Sequence, residues 1–389
     1  MGVARVHTRV TSEHGPVDIP VGATGTIVID LAQASANWRA LARHVAPAAC
    51  GAVVKADAYG MGAARIIPAL VAAGCRHFFV ATPQEASAAR ELAPNSVIYV
   101  LDGLIPGTAR DLMSIGAIPV LASLREIREW ATYTSNHVNL PPAAVHIDTG
   151  LNRLGISEKE VAELSRDADL LARLNTSLIM SHLACADEAG HPMNREQLDK
   201  FNRLRAKLPF APASIAASDG MMLSSEYHLD LVRPGYALFG GQATPGRMTP
   251  VRPVLRVSAR ILQVRDVAPG HFIGYSASYG ARKRLRVATV AAGYADGLFR
   301  HASATNEDPG GLVSIRGRHA PIVGRVSMDL ITVDVTHIDD PAPIPGDWVD
   351  LVGPDLAIET VGAGAKTIGY EVLTRWRPRF HRAYLEQGD

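Results

Sequence analysis

Short apolar runs recur along the first part of the chain, separated by longer stretches in which apolar residues return at helical spacing. The segment 25–30 carries Thr26, Ile27, Val28 and Ile29 in succession and reads as a strand. The segment 31–45 places Leu31, Trp38, Leu41 and Val45 on one face and reads as a helix. Further strand-like runs follow at 50–54, 77–81, 97–101, 118–122, 144–147, 177–180, 214–217 and 229–232. Amphipathic or alanine-rich helical stretches lie between most of them, as at 63–73, 83–92, 124–134 and 194–207. Continuous apolar strands alternating with helices predict a parallel sheet covered on both faces. About eight such units over roughly 220 residues fit a closed (β/α)8 barrel better than an open sheet. The absence of a G-x-G-x-x-G after the first strand argues against a dinucleotide-binding sheet.

The pattern then changes. Strands are expected at 254–267, 285–292, 312–315, 322–326, 331–335 and 348–352. Many alternate polar with apolar positions, as Arg256-Val257-Ser258-Ala259-Arg260-Ile261 does, and Gly and Pro punctuate them closely. That is the pattern of an antiparallel sheet with one wet face. The expected organisation is a polar N-terminal tail over 1–22, an α/β barrel of the TIM type over 23–246, and an antiparallel β domain over 247–389, joined in the Pro- and Gly-containing stretch 242–253.

A chain of 389 residues exceeds one ordinary core, in keeping with two domains. Hydrophobic residues make up 47% and charged ones 20%, as in a well-packed soluble protein. A net charge of +1 gives no broad attraction to nucleic acid or a membrane surface, and no apolar stretch reaches the length of a membrane span. Cys50, Cys75 and Cys185 form neither an even disulfide framework nor a metal spacing, so reduced thiols, a reducing compartment and a cytoplasmic location are expected, and no metal site.

The candidate chemistry gathers where the barrel strands end, since that face of such barrels carries function. Lys55 closes an apolar run, where loss of hydration lowers an ammonium pKa and frees the amine as nucleophile and base. Arg153 and its neighbours from Asp148 onward, His182, Ser218, and Arg233 with Gly235 follow other runs in the same way. Taken singly, Arg153 reads more readily as a surface arginine, His182 as a core histidine and Ser218 as a helix cap. At equivalent strand ends they would line one mouth. Ser218 and the amides about Gly235 and Tyr236 follow the last strands, where these barrels commonly hold phosphate. A lysine able to form an imine, a phosphate cradle and arginines for a ring together point to pyridoxal phosphate.

The motifs themselves carry a resemblance. Val54-Lys55-Ala56-Asp57-Ala58-Tyr59-Gly60-Met61-Gly62 is similar to the cofactor-lysine motif of the alanine racemases. Asp148-Thr149-Gly150-Leu151-Asn152-Arg153-Leu154-Gly155, Arg233-Pro234-Gly235, Gly274-Tyr275, Gly293-Tyr294-Ala295-Asp296-Gly297 and Val323-Gly324-Arg325-Val326-Ser327-Met328-Asp329 resemble further motifs of that family, in its order. The resemblance implies a barrel with a C-terminal β domain. It implies a head-to-tail homodimer with shared sites, and interconversion of L- and D-alanine on pyridoxal 5'-phosphate. It makes Lys55 the cofactor lysine and one base, and Tyr275 of the partner chain the other. Arg153 would meet that tyrosine and the substrate carboxylate, with Met328 offering its amide and Tyr294 lining the entrance. Arg233 would face the pyridine nitrogen, supported by His182, while Tyr59, Ser218, Gly235, Tyr236 and Tyr370 would surround the phosphate. The chain departs from the family at His146, where many members carry a lysine that is often carbamylated, and at Asp57, where asparagine is frequent.

Other readings are a racemase of broader specificity or for serine, a non-enzymatic pyridoxal-phosphate carrier, and a decarboxylase of basic amino acids. Carriers resemble the first domain alone, and the decarboxylases use a cysteine-bearing segment in the β domain, whereas this chain has no cysteine after Cys185. A single hydroxyl or methylene is weakly discriminated by a pocket, which leaves substrate breadth open.

Overall fold

Residues 7–12, 15–135, 137–242 and 250–386 are described by a computed structural model. The chain divides into two units, one of residues 34–251 and the other of residues 1–33 with 252–389. The boundary expected between 246 and 247 lies outside the described residues.

In the first unit the strands run, in chain order, Ala49–Cys50 continuing as Ala52–Val53, then His77–Val80, Val97–Val100, Ile118–Leu121, Pro142–His146, Asn175–Met180, Ala213–Ser214 and Leu231–Val232. Each pairs in parallel with its neighbour from Ala52–Val53 round to Ala213–Ser214. The ring closes because Leu231–Val232 pairs in parallel with Ala49–Cys50, and Ala217 bridges Arg233. This is the (β/α)8 barrel. Side chains such as Ala52, Phe78, Phe79, Ile98, Val120 and Leu121 are wholly buried, as strands covered on both faces require. The connecting helices start on polar caps. Thr82 with Glu85 opens Pro83–Leu92, and Ser157 with Glu160 opens Glu158–Leu164, both as reciprocal capping boxes.

The expected start of the barrel is corrected. Gly25–Asp30 is a strand, but it pairs antiparallel with Leu255–Val267 and parallel with His381–Leu385 in the other unit. Lys55 therefore ends the first barrel strand, not the second. The difference has a physical cause: a central strand of a covered mixed sheet and a barrel strand are both buried on two faces, and all six residues of Gly25–Asp30 are buried.

The second unit is a largely antiparallel sheet. Arg318–Pro321, Leu312–Ile315, Trp348–Val352, Leu255–Val267, Leu285–Val290 and Ile331–Asp334 lie in that order, with Gly25–Asp30 and His381–Leu385 beside Leu255–Val267. The strand expected at 322–326 is displaced to Arg318–Pro321. Beyond it Ile322 makes only an isolated bridge to Val333, and Gly324 turns the backbone with φ +73°. The expected tail forms an antiparallel hairpin, His7–Ser12 with Gly15–Pro20, and Ile19 packs with Val28 and Leu385. Among the described residues, no helix is long and apolar enough to cross a membrane.

Candidate active site

Lys55 stands half-buried immediately after the strand Ala52–Val53 and the buried Val54. The backbone then makes a left-handed turn, with Ala56, Asp57, Ala58 and Tyr59 at φ between 53° and 57°. The turn is closed by Ala58 N–H to Val54 O at 2.9 Å and Gly60 N–H to Ala56 O at 2.8 Å. Asp57 accepts the Ala63 N–H at 2.7 Å, so this carboxylate caps the helix Ala63–Ala73. Burial lowers the Lys55 pKa, and the Arg153 charge lowers it further, while Glu85 and Asp102 act in the opposite sense.

Arg233 is 3% exposed. Its guanidinium donates to Ser214 Oγ, to Ser181 O at 2.7 Å and, at 3.5 Å, to His182 Nδ1 and Ile215 O. None of these partners is a carboxylate. Burial lowers its pKa to about 10, which leaves it a cation at neutral pH. The half-buried His182 is pushed down to about 3 by burial and by the charges of Arg233 and Arg153, so its neutral ring can accept from Arg233. His146 ends the strand Pro142–His146, buried, and is held down to about 4 by burial and by Arg233 and Arg153. Beneath these groups Thr149 Oγ1 meets Ser181 Oγ at 2.8 Å, and Gln197 Nε2 donates at 3.0 Å to Thr149 Oγ1 and to His182 O. This buried network ties the Asp148–Gly155 loop to the strand that leads to His182.

Ser218 is buried, and its Oγ accepts the amides of Gly235 and Ala237, each at 3.1 Å. Tyr236 begins the short turn Tyr236–Phe239. Gly235 has no room for a side chain, because a Cβ there would fall onto the Tyr59 hydroxyl. Tyr59 is itself buried against Phe239, with ring centroids 5.5 Å apart. Lys55, Tyr59, Arg153, His182, Ser218, Arg233, Gly235 and Tyr236 thus all belong to the barrel unit.

The remaining expected residues belong to the other unit. Tyr275 opens an exposed turn and is itself 68% exposed. Tyr294 and Met328 are brought together: the Tyr294 N–H reaches Ser327 O and the Ala295 N–H reaches Met328 O, both at 3.0 Å. A Cβ on Gly293 would collide with the Met328 carbonyl. The buried Asp296 accepts the Gly293 N–H at 2.9 Å, and Arg379 pairs with Asp296 at 3.1 Å and Asp329 at 2.7 Å, which holds the two loops together. Tyr370 lies half-buried on the helix Gly369–Thr374, so it shares a unit with Tyr275 and not with Ser218.

Residues 29–243 match the family model of the alanine racemase N-terminal domain, and residues 254–384 match that of the C-terminal domain. The chain belongs to the alanine racemase family. An alanine racemase from Methylobacterium nodulans is 43% identical over 97% of this chain and 98% of its own length, and one from Rhodospirillum rubrum is 42% identical over 93% and 96%. The crystal structure of alanine racemase from Bartonella henselae with covalently bound pyridoxal phosphate is 40% identical, covers 93% of this chain and 99% of that one, and superposes with a TM-score of 0.87. The biosynthetic alanine racemase from Pseudomonas aeruginosa is 29% identical with a TM-score of 0.85 over 94% of this chain.

The alanine racemase barrel of this chain fits pyridoxal phosphate on its own geometry. It presents an amine with a lowered pKa, two amides converging on a buried hydroxyl, and a buried arginine without a carboxylate partner. Ser214, Ser181, Gln197 and Glu85 were not singled out in the sequence, and Thr149 was named only as part of the Asp148–Gly155 motif. Glu85 alone left a local signal, three residues after Thr82 at a helix start. The others act through contacts between residues distant in the chain.

Proposed function

We propose that the protein is a pyridoxal-phosphate-dependent alanine racemase, interconverting L- and D-alanine with two bases drawn from two subunits of a homodimer. The observation that carries this reading is Lys55, its ammonium disfavoured, at a strand end of the same barrel that holds the Ser218 amide cradle and the unpaired-by-carboxylate Arg233. When bound, pyridoxal phosphate supplies a carbonyl for amines and a conjugated ring that delocalises the electron pair left at Cα. Lys55 would hold the cofactor and would move the α-proton at its Nζ on one face of the substrate. The Tyr275 hydroxyl of the partner subunit would serve the other face, as its exposure in the single chain supports. Two bases are needed because one group cannot readily reach both faces of Cα. Arg153 would favour the Tyr275 phenolate and bind the substrate carboxylate, with the Met328 amide beside it and Tyr294 at the entrance. Arg233, supported by His182, would keep its own proton and leave the pyridine nitrogen neutral, which restrains side reactions. Ser218, Gly235, Tyr236, Tyr59 and Tyr370 would surround the phosphate.

The role assigned is supply of D-alanine for peptidoglycan, or its catabolic reverse, in the cytoplasm. The test is circular dichroism of purified protein incubated with L- or D-alanine, with serine alongside to set breadth. Borohydride reduction followed by peptide mapping should place the cofactor on Lys55. No racemisation of alanine, or label on a different lysine, would overturn the assignment.

A further inference from the structure

The turn that carries Lys55 is strained. Ala56, Asp57, Ala58 and Tyr59 take φ of 53°, 54°, 53° and 57° in succession, and none is glycine. The left-handed helix is unfavourable for L-residues, because Cβ crowds the following carbonyl oxygen. Such a segment persists only where its surroundings hold it. One carboxylate does much of the holding. Glu85 Oε1 accepts the Ala56 N–H at 2.7 Å, the first amide of the left-handed run. Its other oxygen accepts the Ala81 N–H at 2.8 Å and the Thr82 N–H at 3.4 Å, just past the adjacent strand His77–Val80. A capping box accounts for the bond to Thr82. It does not account for Oε1 turned towards Ala56, whose chain position is 29 residues away.

We propose that Glu85 is a positioning residue for the cofactor lysine: by bridging the Ala56 amide to the Ala81 and Thr82 amides, its carboxylate holds the left-handed turn that aims Lys55 and seats Tyr59. The proposal rests on the reading of Lys55 given above. It separates the two ends of the carboxylate, since a glutamine has one acceptor oxygen and can keep only one of the two bridges. It also has an electrostatic signature. The charged groups facing Lys55 are Arg153, Glu85 and Asp102, with His182 neutral. Glu85 acts against the lowering by burial and by Arg153, so removing its charge moves the Lys55 pKa further down.

The test uses the full chain as wild type, Glu85→Gln, Glu85→Asp and Thr82→Ala. The last removes the hydroxyl that caps the helix and leaves the Glu85 carboxylate in place. Two readouts are needed. Amide hydrogen exchange of the segment 54–62, by mass spectrometry, should speed up ~10-fold or more in Glu85→Gln and Glu85→Asp, the scale of a lost hydrogen bond to a charged group. Thr82→Ala should leave it near wild type. The rate at which protein stripped of cofactor takes up added pyridoxal phosphate, followed across pH, should have its midpoint at lower pH in Glu85→Gln only, because Glu85→Asp keeps the charge. Exchange unchanged in both Glu85 variants, or equally fast in Thr82→Ala, would overturn the proposal and reduce Glu85 to a helix cap. If the wild type itself takes up no pyridoxal phosphate on Lys55, the functional reading fails, while the exchange data still decide whether Glu85 clamps the turn.

Discussion

Lys55 and Tyr275 differ in what each removes when lost. On the proposed mechanism, Lys55→Ala takes away the cofactor linkage together with a base, so racemisation should vanish in both directions and no cofactor should stay linked to the protein. Tyr275→Phe keeps the linkage and one base. Loss of one positioned acid or base costs ~10²–10⁴ in rate, so racemisation should fall at least that far. Exchange of the α-proton in heavy water should survive for one enantiomer only, the one whose proton faces Lys55. Retained exchange of both enantiomers would show that the tyrosine is not the second base. His146 gives a separate prediction in pH. Its folded pKa lies at about 4 against an ordinary 6.5, because burial and two arginines oppose its charge. The unfolded chain therefore binds a proton that the folded one refuses, and stability is lost as pH falls from 6.5 towards 4. The contribution is on the order of 3 kcal/mol. Denaturant midpoints of His146→Gln measured across that window should fall less steeply than those of wild type, and parallel slopes would remove His146 from the account.

At the scale of elements, the site depends on backbone segments that approach too closely for side chains. The Gly235 strand end lies against the buried Tyr59 ring, and Gly293 lies against the Met328 carbonyl. Gly235→Ala must displace a phenol that is packed on Phe239, an overpacking that typically costs about 1–3 kcal/mol. It should lower the urea midpoint and raise the dissociation constant for pyridoxal phosphate together. Gly293→Ala meets backbone, which cannot rotate aside, and should raise the KM for alanine while cofactor binding stays near wild type. A Gly293→Ala protein with unchanged KM would show that the Tyr294 and Met328 loops do not line the substrate site.

For the whole molecule, the proposed division of labour follows the two units of the chain. Lys55 lies in the barrel unit and Tyr275 in the other unit. If two subunits share their sites, mixing Lys55→Ala with Tyr275→Phe under conditions of subunit exchange should restore activity, since a mixed dimer regains one site with both bases. The expected recovery is a quarter of wild type for random exchange at equal amounts, as half the dimers are mixed and each has one intact site of two. Absence of recovery, with exchange verified by mass-tagged subunits, would argue for a site built within one chain.

Local pattern sufficed for much of this. Barrel strands buried on both faces must be continuous apolar runs, so most of their ends could be read along the chain, and with them the places of Lys55, Arg153, His182, Ser218 and Arg233 in the barrel unit; their number could not, because Gly25–Asp30 reads as one more. The alternation about Val257 and Ala259 marked the antiparallel unit for the same reason. What the sequence could not decide was partnership. Thr26 to Ile29 look the same whether their hydrogen bonds go to a barrel or to Leu255–Val267, because pairing is a property of distant segments. Nor do Ala56, Asp57, Ala58 and Tyr59 announce a left-handed turn, since their own preferences oppose it. That conformation is imposed from outside, by Glu85 reaching from the helix Pro83–Leu92, and the neutrality of His182 and His146 is likewise imposed by burial, and then by arginines that only the closed barrel brings near.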